Sequence, residues 1–172
     1  MSLADYKLDK AFTEGVKIHL DEETCFLVKL PSQYNRAYTQ AQYEHIALEI
    51  DEDVIYLANK YVLDDLDSPV EIITGDAYHF MALNQAKFDL VIMDVFEDAD
   101  IPVRFDTDTF MEDLENSLAP KGLVLYNRLT SEPSKLRQTE KFFTRFKEYF
   151  PDAGWVTVEG NRVIFNHQRF FK

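Results

Sequence analysis

The sequence predicts an α/β fold: a three-layer sandwich whose mostly parallel sheet carries an antiparallel C-terminal strand and follows a small N-terminal β-hairpin. Three observations predict it. From Ile46 onward, short runs rich in β-branched residues alternate with stretches of helical length. The runs "VIM" and "LVLY" are apolar at consecutive positions, as in strands covered on both faces. After the last helical stretch, "GWVTVEGNRVIFNH" reads as a closing hairpin around Glu159-Gly160-Asn161, which adds an antiparallel strand at one edge.

The elements follow in order. "VKIHL" and "CFLVKL" flank the polar "DEET", so Val16 to Leu30 forms the N-terminal hairpin. Tyr34, Tyr38 and Ala41 share one helical face behind Pro31-Ser32, which predicts a helix over Tyr34 to His45. Strand "IALEI" leads into helix "DEDVIYLANKYV", strand "VEIITG" into short helix "AYHFMALN", and strand "FDLVIMD" through a loop into helix "DTDTFMEDLENSL". Strand "GLVLYN" follows the Pro-Lys-Gly turn, and a long helix runs near Lys135 to Tyr149. Right-handed crossovers lay such helices against a parallel sheet. The expected division is a hairpin-and-helix appendage over residues 1–45 and a core over residues 46–172.

Composition narrows the function. A chain of 172 residues fits one domain, and its net charge of −13 repels phosphate backbones, which argues against nucleic acid as a partner. Lys135, Arg137, Lys141, Arg145 and Lys147 form the wet face of a helix, and Phe142, Phe146, Tyr149 and Phe150 its packed face. The single Cys25 permits no internal disulfide and, inside an apolar run, reads as a buried thiol. No long apolar run and no signal pattern occurs, so a cytoplasmic protein without membrane contact is expected, alone or as an oligomer such as a homodimer. His19, His45, His79 and His167 lack metal-ligand spacing, so no metal is expected.

The candidate site residues stand at strand ends. Glu49 closes the apolar "IALEI" at the edge where open α/β sheets bind ligands, and a carboxylate there can accept both hydroxyls of a ribose. An acid solvated at a strand end is the plainer alternative. Asp51 is better placed to N-cap the helix from Glu52. Asp76, in "GDA" (Gly75 to Ala77), can be a ligand or a helix N-cap. Asp94 closes "FDLVIMD", and Asn127 closes "VLYN", where it can also be a turn former.

Four pieces, "LEIDEDVIYLANKY", "VEIITGDAYHFM", "KFDLVIMDVFEDADIP" and "LAPKGLVLYN", together resemble class I S-adenosylmethionine-dependent transferases, and within them the spermidine synthase-like group. The resemblance spans Ile46 to His167 and implies the Rossmann-like methyltransferase fold. It implies S-adenosylmethionine or its decarboxylated form as cosubstrate, without a metal, and a small-molecule acceptor of the polyamine class. Glu49 matches the family's ribose-binding acid, and Asp76 matches the acid that accepts from the adenine amino group, with Gly75 and Ala77 meeting the ring. Asp94 matches the acid that deprotonates or holds the attacking amine. The family's second Asp is Glu97 here, which keeps the charge on a longer arm and puts polyamine selectivity in question. Asp98 and Asp100 read as a solvated acidic loop.

The family's glycine-rich turn is missing, since no glycine lies between Gly15 and Gly75. In one account "CFLVKL" is the first central strand and "PSQYN" replaces the turn. In the preferred account "CFLVKL" is the return strand of the hairpin, and the central strand with its glycine loop is absent near His45-Ile46. The leading expectation is therefore a spermidine synthase-like transferase of the polyamine aminopropyltransferase type. The alternatives are a small-molecule methyltransferase on the same fold and a scaffold that has lost cofactor binding.

Overall fold

The computed structural model describes residues 24–29, 44–63, 70–97 and 100–170. Seven strands form one sheet in the order β3-β2-β1-β4-β5-β7-β6. They are β1 (Thr24–Lys29), β2 (Glu44–Glu49), β3 (Val70–Thr74), β4 (Phe88–Asp94), β5 (Leu118–Leu129), β6 (Gly154–Val158) and β7 (Asn161–Phe165). β2 pairs with β3 and β4 with β5 in parallel and the other pairings are antiparallel, so five strands run one way while β1 and β7 run against them in a mixed sheet. The hairpin β6–β7 closes the sheet as the sequence predicts. Glu159 and Gly160 have φ of 38° and 90°, the paired positive values of a type I′ turn whose twist suits antiparallel strands.

The central strand differs from both sequence accounts. β1 lies between β2 and β4, in the middle of the sheet, and runs antiparallel to both, with Cys25 opposite Leu48 on one side and Met93 on the other. It is neither a parallel central strand followed by a cofactor turn nor a strand held in a hairpin outside the core. The physical reason is backbone satisfaction: the inner edges of β2 and β4 need partners, and a strand of either direction supplies them. The boundary expected between residues 45 and 46 falls inside β2, and Glu44 and His45, expected at the end of a helix, are strand. The first hairpin strand, the helix over 34–43 and the Cys25 side chain lie outside what is described.

Each helix carries its own start signal. Helix α1 (Glu52–Tyr61) begins at Asp51, whose carboxylate accepts the Asp53 amide at 2.8 Å, with Glu52 and Asp53 in the first turn and Lys60 in the last. α2 (Ala77–Leu83) begins at Asp76, and α3 (Asp108–Ser117) at Thr107, whose hydroxyl accepts the Phe110 amide at 3.3 Å. α4 (Pro133–Tyr149) starts with Pro133, whose missing N–H has no intrahelical partner to lose there. β2 to β3 steps one way across the sheet and β3 to β4 to β5 the other, so right-handed crossovers place α1 on one face and α2 and α3 on the opposite face.

The main core lies between the sheet and α2, α3 and α4. β4 is buried along nearly its whole length, and α3 contributes Phe110, Met111 and Leu114 at helical spacing. Phe142 and Phe146 of α4 bury their rings, with centroids 5.6 Å apart, and Phe150 follows at 4.6 Å from Phe146. Truncating a fully buried leucine such as Leu114 to alanine costs about 2–5 kcal/mol. Leu90, Leu123, Leu125 and Phe165 alternate to the other face and form a second cluster. Among the described residues, no helix is long and apolar enough to cross a membrane.

The Pro-Lys-Gly segment, expected as a turn ahead of the strand, lies inside β5, where the register with β4 shifts between Phe88 and Leu90. In Pro120-Lys121-Gly122 the positive φ falls on Lys121, at 71°, not on the glycine. Gly122 is required for space, because a Cβ there would stand 2.9 Å from the Phe88 carbonyl oxygen and 3.0 Å from that of Ala119. Asn166 fixes this bulge, donating to the Gly122 carbonyl at 2.9 Å and accepting the Val124 amide at 3.0 Å.

Candidate active site

The parallel strands carry their polar residues to one rim. Glu49 pairs in register with Thr74, and Thr24 with Asp94. Glu49 stands one step beyond the Leu48–Cys25 pair, and Asn127 one step beyond the Tyr126–Met93 pair. Thr74, Glu49, Thr24, Asp94 and Asn127 therefore form one row across the sheet at the carboxyl ends of β2–β5. Two strand spacings, about 10 Å, separate β2 from β4 across β1.

Glu49 is 3% exposed, unusual for a carboxylate. Its Oε1 accepts the Asp51 amide at 2.8 Å, and its carbonyl accepts the Gly75 amide at 2.9 Å, which ties the ends of β2 and β3 together. Asp94 is 4% exposed, and burial raises its carboxyl above the ordinary carboxylate value, while the hydrogen bond from Asn127 pulls the other way. Asn127 Nδ2 donates to Asp94 Oδ1 at 2.7 Å. Asn127 Oδ1 is the buried side-chain polar atom without a partner among the described residues. An ionised carboxylate held by one amide in a desolvated site is a suitable proton acceptor, because protonation relieves its burial.

Beside this row, a shallow groove runs between the end of β3 and the segment after β4. Gly75, Asp76, Ala77, Val95, Phe96 and Phe105 line it, together with Arg104. Nothing stands within 4 Å of the place a Gly75 Cβ would take, so the groove reaches the backbone there. Phe105 stands edge-on to Tyr78 and Phe110, at centroid separations of 6.0 and 5.0 Å, which stiffens that wall.

Asp76 performs several tasks at once. Its Oδ1 accepts the Tyr78 amide at 2.8 Å as the cap of α2, and its Oδ2 lies 3.5 Å from both His79 and Arg104. Gly75, Asp76 and Ala77 thus come together in the groove, and Glu49 and Asp94 in the row. Glu97 stands apart on an exposed two-residue bridge with Asp100, formed by backbone bonds of 2.7 and 3.1 Å. Asp100 is exposed and ion-pairs with Lys135, and Asp98 lies outside the described residues. Among the described residues, no group of three or more His, Cys, Asp or Glu could hold a metal ion.

Sequence reading missed the walls of the groove. Arg104 had a signal: it is the sole basic residue in the stretch from Asp94 to Asp108, which holds six acids. Phe96 and Phe105 had none beyond being aromatic.

Comparisons with known proteins converge on one family. The family described as the spermine/spermidine synthase domain matches residues 10–159. A curated relative from Bifidobacterium longum (strain NCC 2705), "Probable polyamine aminopropyl transferase", is 29% identical over 80 residues, which is 46% of this chain and 18% of that protein. Among solved structures, a probable spermidine synthase from Corynebacterium glutamicum ATCC 13032 superposes with a TM-score of 0.58 at 26% identity, covering 69% of this chain and 45% of that one. Human methyltransferase-like protein 13, solved with SAH, gives a TM-score of 0.61 at 18% identity over 71% of this chain and 60% of that one, a likeness of fold. The chain spans less than a fifth of the curated relative's length and 45–60% of these solved chains. Because the family model matches residues 10–159, most of the chain, the chain belongs to the spermine/spermidine synthase domain family.

Proposed function

We propose that the chain is the core of a spermidine synthase-like transferase that takes S-adenosylmethionine or its decarboxylated form and a small cationic amine of the polyamine class. One observation carries this reading: Asp94 is buried at the end of β4 and oriented by Asn127, two strands from the buried Glu49 in the same row. In this reading Glu49 accepts the ribose hydroxyls, and the groove at Gly75, Asp76 and Ala77 takes the adenine. Asp94 attracts the protonated amine, removes its proton and holds the nitrogen in line with the carbon it attacks. The nitrogen–carbon bond forms as the carbon–sulfur bond breaks, the sulfonium electron pair leaves with a neutral thioether, and the amine proton goes to Asp94. Glu97, exposed beyond the strand end, adds attraction for the far end of a diamine.

A second reading, a scaffold without cofactor binding, is favoured by the direction of β1. Lys29 pairs with Glu44 at the rim opposite Glu49 and Asp94, so β1 runs away from the row and brings no carboxyl end to it, unlike β2 and β4 on either side.

One experiment separates the readings. The chain is incubated with putrescine and either decarboxylated S-adenosylmethionine or S-adenosylmethionine, and products are identified by mass spectrometry. Spermidine with methylthioadenosine supports aminopropyl transfer; a methylated amine moves the assignment to a methyltransferase. Calorimetry showing no heat with either cosubstrate or with methylthioadenosine, from a chain with a cooperative melt, would sink the transferase reading in favour of the scaffold.

A further inference from the structure

Arg128 is a buried charge that the proposed chemistry does not use. Its side chain is 5% exposed, two residues beyond Tyr126 on β5. The guanidinium forms a two-pronged pair with Asp106, Nη1 to Oδ1 at 2.6 Å and Nη2 to Oδ2 at 3.1 Å, and lies 4.2 Å from the centroid of the Phe142 ring. The buried partner is the arginine, since the Asp106 side chain is 28% exposed, so the pair fixes the outer residue to the inner strand.

What it holds is the far wall of the groove. Asp106 ends the short 3-10 turn Val103–Asp106, and that turn supplies Arg104 and Phe105 to the groove, with Pro102 just ahead of it. Further bonds fasten the same segment. The Tyr126 hydroxyl donates to the Phe105 carbonyl at 3.4 Å, Arg145 donates to the Asp106 carbonyl, and Thr107 donates to the Arg104 carbonyl at 2.9 Å. At the other end of the segment Lys135 binds Asp100. Phe96, which precedes both fastenings in the chain, lines both the groove and a second small cavity that includes Arg128, Ile101 and Thr139.

We propose that Arg128 is a positioning residue for the nucleoside groove: by gripping Asp106 it holds Pro102–Phe105 as a preformed wall facing Gly75–Ala77. The inference rests on the proposed function for its ligand but not for its geometry. Arginine suits the task, because its planar fork matches both carboxylate oxygens while it lies over the Phe142 ring; a lysine ammonium lacks the fork.

The test uses Arg128→Met and Arg128→Lys, with Asp106→Asn as a milder variant should Arg128→Met fold poorly. Amide exchange is read by mass spectrometry over residues 102–107, where the Phe105 amide donates to the Pro102 carbonyl at 3.0 Å, and affinity is read by calorimetry with 5′-methylthioadenosine. The expected result is exchange faster by about tenfold or more in that segment, unchanged exchange in β2 and β3, and affinity about tenfold weaker. Arg128→Lys should not rescue it. Unchanged exchange overturns the proposal. Faster exchange with unchanged affinity also overturns it, leaving Arg128 a stabilising residue only. If the wild type binds no nucleoside, the functional reading fails, and the exchange comparison alone decides whether Arg128 holds the wall.

Discussion

Replacing Glu49 tests the ribose assignment and separates binding from folding. The carboxylate is 3% exposed and already accepts the Asp51 amide at 2.8 Å. Glu49→Gln leaves a carbonyl oxygen for that amide but removes the charge. Glu49→Ala removes both, and the Asp51 amide then loses its acceptor next to the cap of α1. Hydrogen bonds to a charged group are worth about 1.5–3 kcal/mol, so losing the ribose bonds should weaken nucleoside binding by roughly 1–3 kcal/mol, about 5- to 150-fold. The unpaired amide should cost the alanine variant a further ~1–3 kcal/mol of folding stability, which the glutamine variant avoids. Calorimetry with 5′-methylthioadenosine gives the affinities, and urea denaturation followed by circular dichroism gives the stabilities. Binding in the wild type that neither substitution weakens would remove Glu49 from the site. An alanine variant as stable as the glutamine one would show that its bond to Asp51 is of no consequence.

Asp94→Asn should keep nucleoside affinity while lowering amine transfer by about 100-fold or more, the scale of losing a general base; a mass-spectrometric rate within a few-fold of wild type would refute the role. The same variant tests the electrostatics. Burial raises the folded-state pKa of Asp94 above its unfolded value, so its contribution favours folding at acid pH and fades as pH rises through that raised value. The stability of Asp94→Asn relative to wild type should therefore grow with pH just above the ordinary carboxylate range and then level off; a constant difference in urea titrations across that window would refute it. At the β5 bulge, Gly122→Ala should destabilise by about 1–3 kcal/mol, because its Cβ would meet two carbonyl oxygens. Lys121→Gly should stabilise by about 0.5–1 kcal/mol by relieving a positive φ. Thermal melts that reverse this order would show that the bulge is misread.

Much of the fold was legible because its signals are local. Asp51 announces a helix start, "FDLVIMD" announces a doubly covered strand, and Glu159-Gly160 announces a tight hairpin, each within a few residues. The direction of β1 was not legible for a definite reason: reversing a short apolar strand leaves its hydrophobic pattern unchanged, so "CFLVKL" fits its slot equally well either way. The rim acids Glu49 and Asp94 could be read because a carboxylate closing an apolar strand is conspicuous. The grip of Arg128 on Asp106 could not, because it joins residues 22 apart in sequence, brought together only by packing.

The position of β1 also has a mechanical consequence. β2 never pairs with β4, so the strand that bears Glu49 and the strand that bears Asp94 belong to two halves of the sheet joined edge to edge by six-residue β1. Within the sheet the span between the two acids is set by that strand, while the shared core under α2 and α3 ties the two sides from one face. Breathing of β1 would loosen that span, and any ligand that bridges both acids would tighten it. Slower amide exchange in Thr24–Lys29 on adding such a ligand would report that the two halves had begun to act as one.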